Sequence, residues 1–162
     1  MTLTIEQIVG YVKETFPGVA DDRNWGERAL FYNPNRKLPK GIYFLTFKEK
    51  NGANDRASQI MAGQYRLNIG ISKAAFTDRF GGIPVRPPAG GIVNTGHDFT
   101  ACDIITPHPV YGWMSWVAVK NPSSATFDEL KPLLVEAYKL AVAKFGKRVP
   151  NIALNPDGFA AG

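Results

Sequence analysis

Residues 64–71 read QYRLNIGI, and their alternation decides the fold class. Tyr65, Leu67, Ile69 and Ile71 fall on one side of an extended chain; Gln64, Arg66, Asn68 and Gly70 fall on the other. Successive side chains of a strand point to opposite faces, so this segment is a strand with one apolar face. Directly after it, Ser72 is placed to cap a short helix over residues 73–80, and Gly81-Gly82 supplies its stop. Upstream, ERALFY (27–32) and IYFLTFK (42–48) carry the aromatic and β-branched bias of strands. Asn33-Pro34-Asn35 and Pro39-Lys40-Gly41 provide the turn chemistry between them. In 42–48 neither face is clearly polar. Downstream, WMSWVAVK (113–120) reads as the last strand.

Two helices bracket these strands. Residues 4–16 place Ile5, Ile8, Val9, Val12 and Phe16 on one face, behind a capping box of Thr4 and Gln7. Thr126 and Glu129 form a second capping box opening a long helix to Phe145, with Leu130, Leu133, Leu134, Ala137, Ala141 and Phe145 as its buried stripe. Pro132 lies past the first turn and predicts a kink or a shifted start. The order is helix, strands, short helix, loop, strand, long helix. It predicts an α+β fold, an antiparallel sheet with the N- and C-terminal helices packed on one face. One domain over residues 1–147 is expected, with an irregular tail over 148–162.

The chain has 162 residues, a formal charge of +5 and a single cysteine, Cys102. That length supports a hydrophobic core without a metal or disulfide staple. One cysteine excludes an intramolecular disulfide and a multi-thiolate zinc site. MTLTIEQIVGYVKE has no basic start and does not read as a signal peptide. No apolar run is long enough to span a membrane, so a cytoplasmic protein with no membrane partner is expected. The chain has 16 glycines and 12 prolines, and their surplus is concentrated in the turns at 33–41 and at 81–91, within a loop that runs from 81 to 98. A loop that long is usually functional or mobile.

Most of the net charge has one address. Arg36, Lys37, Lys40, Lys48 and Lys50 stand against Glu49 alone, with aromatics between them. These five are the candidates for contacts to nucleic-acid phosphates. The plainer account, which outweighs it, is a solvated hairpin edge whose lysines block edge-to-edge pairing.

The densest polar and aromatic segment is 97–116, HDFTACDIITPHPVYGWMSW. Cys102 sits beside Asp103, and a neighbouring carboxylate raises a thiol pKa instead of activating it. His97, Asp98, Asp103 and His108 match no metal-ligand spacing, and no cofactor motif is present. His108 is locked between Pro107 and Pro109, which fixes its direction. Beside Tyr111 and Trp113 it would line a ligand pocket. Trp113 and Trp116, read as strand residues at odd spacing, point to opposite faces.

QYRLNIGISKAAFTDRFG, TPHPVYGWMSWVAVKNPSSATF and ELKPLLVEAYKLA together resemble the domain-of-unknown-function family 6194, over about residues 3–147. PHPVYGWMSWVAVKNPS is the most specific element. More distantly, a Trp strand followed by a helix bearing Glu136, Ala137 and Tyr138 looks like the MmcQ/YjbR family. That second resemblance implies a CyaY-like two-layer architecture. It also brings a suggestion of DNA binding by fold analogy, which does not transfer function. The first brings no established activity.

Three functional readings follow. The favoured one is a non-enzymatic domain, monomeric or homodimeric, binding a small molecule or a protein. His108, Tyr111, Trp113 and Trp116 would be its aromatic walls, Arg66 and Asn68 its polar contacts, and the 81–98 loop its lid. The less favoured alternative is a DNA-binding protein using the 36–50 hairpin. The third is an enzyme with His108 as general base, oriented by Asp103.

Overall fold

Thr4 opens the first helix as the capping box predicts: its hydroxyl accepts from Gln7 N, and the Gln7 side chain accepts from Thr4 N. This helix, α1 (Ile5–Thr15), buries Ile8, Val9 and Val12. The computed structural model describes residues 1–149. The strands are β1 (Val19–Asn24), β2 (Glu27–Tyr32), β3 (Ile42–Lys48), β4 (Arg66–Gly70), β5 (Thr106–Pro107) and β6 (Trp116–Lys120). The other helices are α2 (Lys73–Phe80) and α3 (Ser124–Arg148). The six strands form one antiparallel sheet in the order β1-β2-β3-β4-β6-β5. The α+β class and the antiparallel sheet are as the sequence predicts.

The core lies between the helices and one face of this sheet. Ile8 and Val12 of α1, Phe76 of α2, and Leu130 and Leu134 of α3 meet Leu30, Phe47, Leu67, Ile69, Val117 and Val119. All are fully buried or nearly so. The apolar side of QYRLNIGI belongs to this face. The register between β2 and β3 shifts at Leu30/Phe31, so that Leu30 pairs with Leu45 and Phe31 with Tyr43. The irregularity lets consecutive Phe44 and Leu45 both enter the core. That explains why IYFLTFK shows no polar face.

Several local expectations need correction. β1 is absent from the reading because VADDRN exposes Asp21, Asp22 and Arg23 at the sheet edge and has no apolar alternation. β3 is an interior strand, so its lysines do not guard an edge. Residues 112–114 form a 3₁₀ turn ahead of β6, which starts at Trp116; Trp113 is therefore not a strand residue. α3 is capped by Ser123, whose hydroxyl accepts from Thr126 N, so the helix begins before the Thr126 box. It runs unbroken through Pro132, which is exposed, as is Asp128, whose carbonyl loses the proline's missing donor. Leu133 is half-buried. The helix reaches Arg148, and most of the expected tail, residues 150–162, lies outside the described residues. Among the described residues no helix is long and apolar enough to cross a membrane.

The second face of the sheet carries the polar side of β4 and is covered by irregular chain. The segment joining β3 to β4 brings Asp55 and Ser58 onto it, and the segment joining α2 to β6 brings His108 and Tyr111.

Candidate functional site

Arg66 is 2% exposed, and a buried guanidinium must find an acceptor for every N–H. Its Nε donates to Asn68 Oδ1 at 2.7 Å. Nη1 donates to Asp55 Oδ1 at 2.9 Å and to Ser58 Oγ at 2.9 Å. Nη2 donates to Asp55 Oδ2 at 2.6 Å, completing a two-pronged ion pair. Asn68 donates in turn to Thr46 Oγ1, its cross-strand neighbour, at 3.0 Å. Beside this network stands His108, 3% exposed, with Nε2 3.0 Å from Arg66 Nη2. His108 Nδ1 accepts from Val110 N at 3.1 Å and Tyr111 N at 3.0 Å. The flanking prolines and these two backbone bonds hold the ring in one orientation.

Arg66, Asn68, His108, Thr46 and Asp55 form the polar floor of a cavity of ≈ 340 Å³. Its walls are Trp25, Tyr43, Tyr111, Met114 and Trp116. Tyr43 and Trp116 lie 5.6 Å apart at a 32° tilt, and Trp25 meets Tyr43 edge-on at 5.6 Å. Tyr111 lies over His108 with ring centres 5.1 Å apart. Trp25 sits in the two-residue turn between β1 and β2, where its φ of 53° and that of Gly26, 78°, are both positive. That is the type I′ hairpin geometry, which normally takes Asn-Gly. A tryptophan there, 77% exposed, is held at the cavity mouth.

The electrostatics are balanced. Asp55 neutralises Arg66, and Glu27 at the rim pairs with Lys48 at 3.1 Å. Burial, reinforced by Arg66 and then Lys48, pushes the His108 pKa well below its ordinary value. Burial also raises the Tyr43 hydroxyl, with smaller contributions from Tyr111 and Glu27.

Five residues expected at a ligand site, His108, Tyr111, Trp116, Arg66 and Asn68, line this one cavity. Trp113 does not. Its ring lies under Arg86, 4.6 Å from the guanidinium, in a neighbouring hollow. Residues 86–91 of the long loop line that hollow and not the cavity, so the loop is no lid for it. Trp25, Tyr43, Thr46, Asp55, Glu27 and Met114 escaped the sequence reading. The one available signal was Trp25-Gly26, a bulky residue in a turn between two strands.

The remaining candidates disperse. Asp103 accepts from Ser123 N at 2.7 Å at the start of α3 and does not orient His108. His97 packs edge-on against Phe80 at 5.4 Å, and Asp98 accepts from Thr100. Cys102 is exposed, with Gln64 Nε2 3.6 Å from its sulfur. Among the described residues no three His, Cys, Asp or Glu side chains gather to hold a metal. The basic candidates divide between opposite ends of β3. Arg36, Lys37 and Lys40 lie before it, where Lys40 donates to the carbonyl of Arg23. Lys48 and Lys50 lie about 20 Å or more away at 3.3 Å per residue, and Lys48 is already paired. They do not form one patch.

A family model matches residues 1–150, that of a family of unknown function, DUF6194. No curated protein and no solved structure matches the chain. The similarity to MmcQ/YjbR proteins is not shown by these comparisons.

Proposed function

The chain belongs to DUF6194, whose function is unknown, and from that premise we propose that it is a binding protein for a small planar molecule held in the cavity on the helix-free face of the sheet. One observation carries the reading: four aromatic side chains, Trp25, Tyr43, Tyr111 and Trp116, converge over a polar floor in which Arg66, Asn68, His108 and Thr46 are buried. Concave sites of about 300–1,000 Å³, mostly apolar with a few fixed polar groups, are what small ligands occupy. Aromatic walls favour a flat ring system, because offset and edge-on ring contacts add about 0.5–1.5 kcal/mol each beyond burial. A protein partner would need a flatter and wider surface.

Binding without catalysis is the simpler role for this floor. A general base must be able to take a proton, and His108 protonated would face backbone N–H groups on one nitrogen and Arg66 on the other. The test is titration of the full chain with a set of planar aromatic fragments, indanone among them, followed by tryptophan emission. Saturable binding is expected, weakened about tenfold or more by Tyr43→Ala. Absence of saturable binding across the set overturns the reading.

A further inference from the structure

The imidazole of His108 has hydrogen-bond donors against both of its nitrogens. Val110 N and Tyr111 N donate to Nδ1, so the single proton of the neutral ring belongs on Nε2. Nε2 then stands 3.0 Å from Arg66 Nη2, which can only donate. Two N–H groups therefore converge at the cavity floor, and neither has the other as a partner. Both residues are more than nine-tenths buried, and both line the cavity. Buried donors are satisfied in native proteins with few exceptions. The missing partner is an acceptor reached from the cavity side.

We infer that the ligand of this cavity presents a carbonyl oxygen to His108 Nε2–H and Arg66 Nη2–H, and is a neutral planar compound such as a cyclic ketone, lactam or imide. The charge around the floor selects the neutral form. Arg66 already holds the Asp55 carboxylate in a two-pronged pair, and Glu27 also lines the cavity. Both cations at the floor and rim are already paired, Arg66 with Asp55 and Lys48 with Glu27, so an incoming carboxylate would add an uncompensated charge, whereas a carbonyl accepts from the two donors without adding charge. The aromatic walls hold its ring and the two N–H groups set its orientation. The inference rests on the binding reading above and says which edge of the ligand points inward.

Two measurements on the wild-type chain test it, neither needing a variant that must fold. The nitrogen NMR shifts of the imidazole report the tautomer directly. A neutral His108 protonated on Nε2 is expected, and a proton on Nδ1 overturns the inference while leaving the cavity reading intact. The second is a comparison of indanone with indane, the same frame without the oxygen, and with the indane carboxylate. Leaving a buried donor unsatisfied makes indane the weaker ligand by about tenfold or more. Equal affinity of indanone and indane overturns the inference and keeps the binding reading. Tighter binding of the carboxylate overturns the neutral-ligand assignment, and no binding by any of the three overturns both.

Discussion

A Cβ on Gly70 would lie 2.7 Å from Cε2 of Trp116, its cross-strand partner. The indole lies over the space that the glycine leaves, and this places Trp116 as a cavity wall. The Gly70 backbone is outside the left-handed region, so alanine there probes space alone. Alanine gains about 0.5–1 kcal/mol over glycine within a strand, but overpacking costs about 1–3 kcal/mol. Gly70→Ala is expected to lose about 1 kcal/mol in urea unfolding and to weaken indanone binding as the indole is displaced. Unchanged binding with unchanged tryptophan emission would show that Trp116 does not depend on Gly70.

Trp25 carries a cost of the opposite kind. A left-handed backbone costs an ordinary residue about 1–2 kcal/mol, and Asn is the favoured residue at this turn position. Its edge contact with Tyr43 returns about 0.5–1.5 kcal/mol. Trp25→Asn should therefore stabilise the chain slightly, by about 0.5 kcal/mol, while reducing affinity for indanone several-fold. The two readouts moving in opposite directions mark a residue kept for the site; a loss of stability would mean that the turn is not strained.

The sequence made the helical side of the sheet legible because its signals are local. Thr4 with Gln7, Ser72 with Gly81, and the alternation from Tyr65 to Ile71 each report a structure formed by neighbours in the chain. The site was half legible. Arg66, Asn68, His108, Tyr111 and Trp116 stand out as polar or aromatic residues in or beside strands. Asp55 does not, since what brings it to Arg66 is the covering of the second face by irregular chain, and irregular chain has no period to read. Tyr43 of β3 does not either, because it meets Trp116 of β6 only through the pairing of both strands with β4, a long-range relationship that no local pattern reports. Trp113 misled because its 3₁₀ turn resembles the start of the strand that follows it.

The Arg66–Asp55 pair joins the covering segment to the sheet. Removing one member of a buried pair strands the other charge, at about 3–5 kcal/mol. Asp55 keeps some exposure, 16% of its side chain, so Asp55→Ala is expected near the low end, about 3 kcal/mol by urea unfolding. The double variant Asp55→Ala with Arg66→Met removes both charges and should be the more stable of the two. If the single variant is as stable as the wild type, the segment is not held by this pair.

His108 gives the fold a pH dependence whose sign follows from its surroundings. In the unfolded chain a histidine takes a proton near pH 6.5. In the folded chain burial, and then Arg66 and Lys48, keep the ring neutral well below that. Below about pH 6.5 the unfolded state binds a proton that the folded state refuses, so stability falls as the pH drops, by up to about 1.4 kcal/mol per unit. Above pH 6.5 both states are neutral and the contribution is fully present. The carboxylates with lowered pKa values, Glu6, Asp98 and Asp103, act in the same direction. They do so only nearer the ordinary carboxylate range, about pH 4. Urea unfolding at about pH 7, 6 and 5 thus isolates the histidines, and His97 is common to wild type and variant. His108→Asn keeps a side-chain oxygen at the position of Nδ1 to accept from Val110 and Tyr111 but has no proton to take up. Its stability should be lower at pH 7 and flatter between about pH 6.5 and 5 than that of the wild type. Parallel curves for the two proteins would mean that His108 takes up its proton in the fold as it does in the unfolded chain, and that the donors packed around it do not exclude the charge.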